Sequence, residues 1–239
     1  MHIPDGIMSP PVLAVLAGVS AAGLGYAVRR ANRELDEATV PLLGTMAAFV
    51  FAAQMVNFPI AAGTSAHFVG SALVGITLGP WAGLVVMAAV LLIQCFLFQD
   101  GGLTALGANF FNMGILGVGL AWGVHRLATA WLGPRAHIPA AFFAAWLASV
   151  VPAIACAVEL GISGVFPIVP AATAMGGLHA VCGIAEAFVT VVALDFLRKV
   201  RPGAVYAAAA TSPAPRAVPC ADPQSRPGPS PAESSGNAP

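Results

Sequence analysis

The sequence predicts an all-α, polytopic membrane protein folded as a seven-helix bundle, and three observations carry that prediction. Of its 239 residues, 58% are hydrophobic and 8% charged, and the mean hydropathy is +0.85; a soluble domain carries roughly a quarter charged residues. Five apolar runs, residues 9–28, 38–57, 103–124, 138–162 and 171–197, reach the roughly 20 residues a helix needs to cross a bilayer. The few basic residues beside these runs fall into three clusters. Ten basic and ten acidic side chains cancel, so no bulk field draws nucleic acid or another polyanion.

The first run ends in Arg29, Arg30 and Arg33; Arg126 and Arg135 separate the runs 103–124 and 138–162; Arg198, Lys199 and Arg201 follow the last. Between the second and third runs lies a sixth apolar stretch, 67–98, too long for one ordinary span and broken at Gly79-Pro80, where proline removes a backbone donor and disfavours helix in the preceding residue. Basic clusters belong on the cytoplasmic side. If 67–98 crosses once, the first cluster falls opposite the other two; if it crosses twice, all three share one side. The consistent solution is seven crossings with the N-terminus outside.

In that topology the loops near 58–66, 99–102 and 163–170 lie on the outer face, and none contains Lys or Arg. A third helix of 67 to about 78 is only about 18 Å long at 1.5 Å per residue, so the 58–66 loop must dip into the protein, shielded from lipid. Residues 1–201 form the transmembrane domain. Residues 202–239 hold 9 of the 20 prolines and an alanine run, a composition that predicts a disordered cytoplasmic tail. The N-terminus lacks the basic start and small-residue site of a cleavable signal, so the first residues are expected in the mature chain. The four cysteines show no C-x-x-C or paired spacing, which points to apolar core residues rather than a thiolate site or a disulfide framework.

The chain opens Met1-His2-Ile3-Pro4-Asp5-Gly6. At position two, the α-amine, the deprotonated His2 amide and His2 Nδ1 can close adjoining chelate rings around one ion. Three nitrogens are then fixed in a plane, as Ni(II) or Cu(II) prefers. His67 is the candidate for a fourth donor, on the same outer face, opening the short third helix. Pro59 and Gly63 turn the preceding segment, and Asn57, Thr64 and Ser65 are placed to orient the imidazole. Taken singly, His67 reads equally as a satisfied helix-start histidine and His2 as a frayed end; together on one face they favour a metal site.

Other polar residues leave alternatives open. His125 and His137 flank arginines in a cytoplasmic loop and are expected to be solvated. His179 and Glu186 stand seven apart on one helix and share a face, either as an intramembrane functional pair or as a polar link between helices. Glu159 and Asp100 are expected as exposed carboxylates at the outer ends of spans, able to attract cations. Asn109 and Asn112 share a face just below that surface, as donors near a metal or as interhelical hydrogen bonds. The rows Ala14, Gly18, Ala22 and Ala17, Ala21, Gly25, with Gly119 and Gly123, suit close helix packing, internal or with a partner.

With one lysine, Lys199, in Leu-Arg-Lys-Val-Arg-Pro, the chain has no phosphate-binding loop. Away from span ends Glu186 is the one carboxylate, too few for a secondary transporter's coupling set. Any pumping is therefore expected to be driven by a partner.

These residues resemble the CbiM/NikM family, substrate-binding membrane subunits of energy-coupling-factor cobalt and nickel transporters. The resemblance covers residues 1–200. It is carried by the opening hexapeptide, by Val56-Asn57-Phe58-Pro59 with Gly63-Thr64-Ser65-Ala66-His67, by residues 100–109 with Phe111-Asn112-Met113-Gly114, and by His179 with Gly183 and Glu186. It implies a seven-helix fold with the N-terminal segment inserted from outside, and a metal held by the Met1 amine, the His2 amide and imidazole, and the His67 imidazole. It implies Ni(II) or Co(II) as transported substrate with no catalytic cofactor. It further implies a transmembrane coupling subunit, cytoplasmic ATPases and a small accessory membrane subunit as partners, in a prokaryotic plasma or inner membrane. Asn57, Thr64, Ser65, Asn109, Asn112, His179 and Glu186 are the candidates for orienting ligands or lining the pathway. The rival readings are an autonomous divalent-cation channel or secondary carrier, and an intramembrane enzyme using His179 and Glu186.

Overall fold

The computed structural model describes residues 2–37, 39–59 and 65–200, with residues 57–59, 65 and 66 as backbone. Met1, Thr64 and the expected tail, 202–239 with Cys220, lie outside the described residues. Among the described residues the regular structure is α-helical apart from one small hairpin: α1 (Pro10–Glu34), α2 (Val40–Gln54), β1 (Asn57–Pro59), β2 (Ser65–His67), α3 (Ser71–Phe98), α4 (Leu106–Phe110), α5 (Gly117–Leu132), α6 (His137–Ile162) and α7 (Ile168–Val200). A π-helical turn, Phe111–Leu116, joins α4 to α5. Among the described residues five helical segments are long and apolar enough to cross a membrane, α4 to α5 counting as one, and α2 is a shorter apolar helix.

Local sequence explains the boundaries. Pro10 and Pro11 open α1, where a missing N–H costs nothing and the fixed φ suits the first turn. An ion pair between Arg30 and Glu34, 2.6 Å, closes its far end. In α3, Gly79 adopts φ 80°, ψ 174°, a backbone available only to glycine, and Pro80 follows. The helix therefore divides into 71–78 and 80–98, as the Gly-Pro pair predicts.

The expected opening of the third helix at His67 is corrected. His67 pairs with Asn57 across the two-stranded antiparallel hairpin, and the helix begins at Ser71 after Gly70, which turns with φ 78°. Shortened to 71–78, this piece is about 12 Å long at 1.5 Å per residue. Every one of its residues is buried. Ser71 Oγ donates to the Met113 carbonyl, 2.5 Å, in the π turn.

The main core joins α3 to the inner faces of α2, α5, α6 and α7, through residues such as Val50, Leu73, Met87, Val118, Ala145 and Leu194. A second cluster docks the N-terminal segment: Ile3 and Met8 pack with Leu16 of α1, Ala105 and Ala108 around α4, and Cys156 of α6. The packing of α4 on α1 is close. A Cβ on Gly107 would come within 2.5 Å of the Ala17 Cα, and Ser20 Oγ reaches the Gly107 carbonyl at 2.6 Å.

Two further expectations are corrected. His125 and His137 are buried and joined, Nε2 to Nδ1, at 2.9 Å, tying the end of α5 to the start of α6. Glu159 is buried and accepts a hydrogen bond from Asn112 Nδ2 at 2.8 Å. Its partner stands 47 residues away, so no local pattern announced it.

Candidate metal centre

The N-terminal segment packs into the bundle and is held there largely through its own backbone. Ile3 N–H donates to Asn109 Oδ1, 2.8 Å, while Asn109 Nδ2 donates to the Ile3 carbonyl, 3.1 Å. The same carbonyl accepts the Gly102 N–H, 2.8 Å. Asp5 fastens the outer end: its carboxylate accepts the backbone N–H of Leu103, 3.0 Å, and of Thr104, 2.7 Å, and the Thr104 hydroxyl. These donors, the hydroxyl foremost, hold the Asp5 carboxyl below its ordinary pKa. Gly101 and Gly102 make the approach possible. A Cβ on Gly102 would collide with the Asp5 backbone nitrogen and carboxylate, and one on Gly101 would lie 3.4 Å from His2 Cδ2.

Held this way, His2 lies against His67. The rings stack with centroids 4.7 Å apart and planes 24° from parallel. His67 Nδ1 donates to the Phe68 carbonyl, 2.9 Å, which leaves the lone pair on Nε2. Burial pushes the His67 pKa well below its ordinary value, and pushes that of His2 down to about 4. Both imidazoles are therefore neutral at pH 7, the form that binds metals. Asp100 stands at the mouth, its Oδ1 3.4 Å from His2 Nδ1.

Two residues that the sequence reading did not single out support this pair. His2 Nε2 lies 3.1 Å from Gln94 Oε1; Gln94 Nε2 donates to Gln54 Oε1, 2.7 Å; and Gln54 Nε2 donates to the Val69 carbonyl, 2.6 Å. Their signal was present as two amides inside apolar stretches, since a polar group there must find a partner.

The remaining candidates divide. Asn109 belongs to the site through Ile3. Asn112 pairs with Glu159. Glu186 accepts the N–H groups of Val69, 3.3 Å, and Gly70, 3.0 Å, placing a carboxylate at the start of α3, two residues beyond His67. His179 Nδ1 instead donates to the Met175 carbonyl one turn back, 2.9 Å, so His179 and Glu186 take separate partners. Asn57 and Ser65 lie on the hairpin, Asn57 opposite His67. Met1 and Thr64 are outside the described residues. Among those residues no group of three or more His, Cys, Asp or Glu is placed to hold a metal.

Helices long and apolar enough to cross a membrane several times mark a multi-pass membrane protein. Residues 2–204 match the family model CbiM, described as the cobalt uptake substrate-specific transmembrane region, and the chain belongs to that family. It is 42% identical over 208 residues to a protein of Haloquadratum walsbyi named for metal transport, covering 86% of this chain and 94% of the other. It is 35% identical over 218 residues to the fused nickel transport protein NikMN of Rhodobacter capsulatus, covering 84% of this chain and 63% of that longer protein. Its fold matches the crystal structure of a truncated transition metal transporter with a TM-score of 0.78 and 33% identity, over 84% of this chain and 99% of that one.

Proposed function

We propose that this chain is the substrate-specificity subunit of an ATP-driven importer of the energy-coupling-factor type, and that it captures Ni(II) or Co(II) at the outer face. In this reading seven crossings leave the N-terminus outside and the C-terminus cytoplasmic. The cargo is held by the Met1 amine, the His2 amide nitrogen and Nδ1, and His67 Nε2. Partner ATPases, acting through a transmembrane coupling subunit, supply the energy for release inward, with a small accessory membrane subunit as a further partner. No catalytic step falls to this chain.

The observation that carries the reading is the contact between His2 and His67, 65 positions apart in sequence, as neutral rings 4.7 Å apart beneath an N-terminal segment fixed at both Ile3 and Asp5. A frayed end would not be clamped by six hydrogen bonds through those two residues. A nitrogen donor set closed into a plane favours Ni(II) modestly over Co(II). Ligation by both rings requires them to turn from the stacked arrangement until their nitrogens converge. Equilibrium binding of Ni(II) and Co(II) to His2→Ala and His67→Ala tests the site, and undiminished affinity in both variants sinks it. Adding one residue before Met1 blocks the α-amine chelate while keeping both imidazoles, and is expected to abolish tight binding. Steady metal flux through this chain alone in liposomes, without ATPases, is the result that would replace the importer reading with a carrier.

A further inference from the structure

A neutral imidazole has a single N–H, and which nitrogen carries it decides which one can bind a metal. Two neighbours compete for that proton on His2. Asp100 Oδ1, 3.4 Å from Nδ1, favours a proton there, whereas Gln94 lies 3.1 Å from Nε2. An isolated glutamine settles nothing, because its amide can turn over and offer either its oxygen or its NH2.

Gln94 is not isolated, and the chain behind it has a direction. It ends at the Val69 carbonyl, which only accepts, so Gln54 must present its NH2 there, 2.6 Å away. Gln54 Oε1 therefore faces Gln94, which must answer with its own NH2, 2.7 Å. That leaves Gln94 Oε1 toward His2, which must supply Nε2–H. Both glutamines are buried, so water does not compete for these groups and turning one amide would leave a buried carbonyl facing another. The peptide group that carries the Val69 carbonyl is itself pinned from its other side, its Gly70 N–H donating to Glu186, 3.0 Å.

We propose that Gln54 and Gln94 form a one-way amide relay, anchored at the Val69 carbonyl, that fixes His2 as the Nε2–H tautomer and so reserves Nδ1 for the incoming ion. Gln54 acts as a positioning residue for His2 through Gln94. The relay rests on the proposed cargo site for its purpose and on hydrogen-bond direction alone for its geometry. It also joins the two imidazoles, because its anchor lies two residues beyond His67.

The test uses the full chain in detergent, labelled with 15N-histidine and free of metal, with the His2 ring signals assigned by their loss in His2→Ala. The wild-type His2 is expected to carry its proton on Nε2. Gln54→Leu lets the Gln94 amide turn, so an Nδ1–H population appears and Ni(II) affinity falls roughly 10- to 100-fold, as when groups that orient metal ligands are removed. Gln94→Leu is expected to do the same. Gln94→Glu can only accept from His2, so the Nε2–H tautomer and most of the affinity persist. Nδ1–H in the wild-type protein overturns the relay, as does Gln54→Leu with the tautomer unchanged. Should the leucine variants not fold, the wild-type tautomer and Gln94→Glu still decide. Undiminished Ni(II) affinity in His2→Ala sinks the cargo site while leaving the tautomer result standing, so the two readings fail separately.

Discussion

Asn109 and Ile3 form a closed two-point clamp: the amide of one side chain donates to and accepts from a single residue's backbone, at 3.1 and 2.8 Å, across 106 positions of sequence. The clamp sets how deep the N-terminal segment sits, and through it where His2 lies. Asn109→Leu leaves a buried backbone N–H without its acceptor, at a cost of about 1–3 kcal/mol. Hydrogen exchange over residues 2–8 should quicken and Ni(II) affinity should fall by roughly 5- to 150-fold.

Gly102→Ala drives a Cβ into Asp5, and neither the backbone nor a carboxylate held by three hydrogen bonds can give way cheaply. The helix content by circular dichroism should be unchanged while the N-terminal segment becomes exchangeable and metal binding is lost. Gly123→Ala, where nothing lies within 4 Å, is the control and should bind as wild type.

Acid should loosen the segment in two stages. The folded-state pKa of His2 lies below its ordinary 6.5, at about 4, so the stability it contributes is present above 6.5 and is lost as pH falls from there toward 4. The Asp5 pKa is also lowered. Its contribution is therefore present above the ordinary carboxylate range and is lost only as pH falls below it. Exchange rates at residues 2–8, followed from pH 7.5 downward, should rise first between 6.5 and 4. In Asp5→Asn the segment should already be loosened at pH 7.

The His125–His137 bond is predicted to be structural. His125→Phe strips a buried partner from His137 and should cost about 1–3 kcal/mol, read as a lower melting temperature. Metal affinity should not change, because His137 lies about 28 Å along α6, at 1.5 Å per residue, from Cys156, which packs against the N-terminal segment.

Glu186→Gln keeps one acceptor for the two N–H groups at the start of α3, and Glu186→Leu keeps none. Melting temperature and metal affinity should fall in that order, with the leucine variant losing about 2 kcal/mol or more of stability. Equal affinity in all three proteins would mean that the start of α3 holds His67 without Glu186.

What could be read from the chain in advance follows from the range of the interactions involved. The break at Gly79-Pro80 was legible because glycine and proline act on their own backbone. His2 and His67 were expected on one face, and their rings meet. The strand at His67 was not, since three residues are too few to show alternation. Glu159 gave an exposed reading because its partner Asn112 lies on another helix. Gln54 and Gln94 passed unnoticed for a different reason: an amide in an apolar run announces that it needs a partner but not which one. His125 and His137 are the same case at the other end of the bundle.

Glu186 sits on a helix of 33 residues whose last turn carries Arg198 and Lys199. Rotation about that long axis would carry its carboxylate out of line with the Val69 and Gly70 N–H groups, and the strand bearing His67 would lose its backstop. Torque applied near Lys199, about 20 Å along the rod at 1.5 Å per residue, would then slacken the backbone two residues from an imidazole.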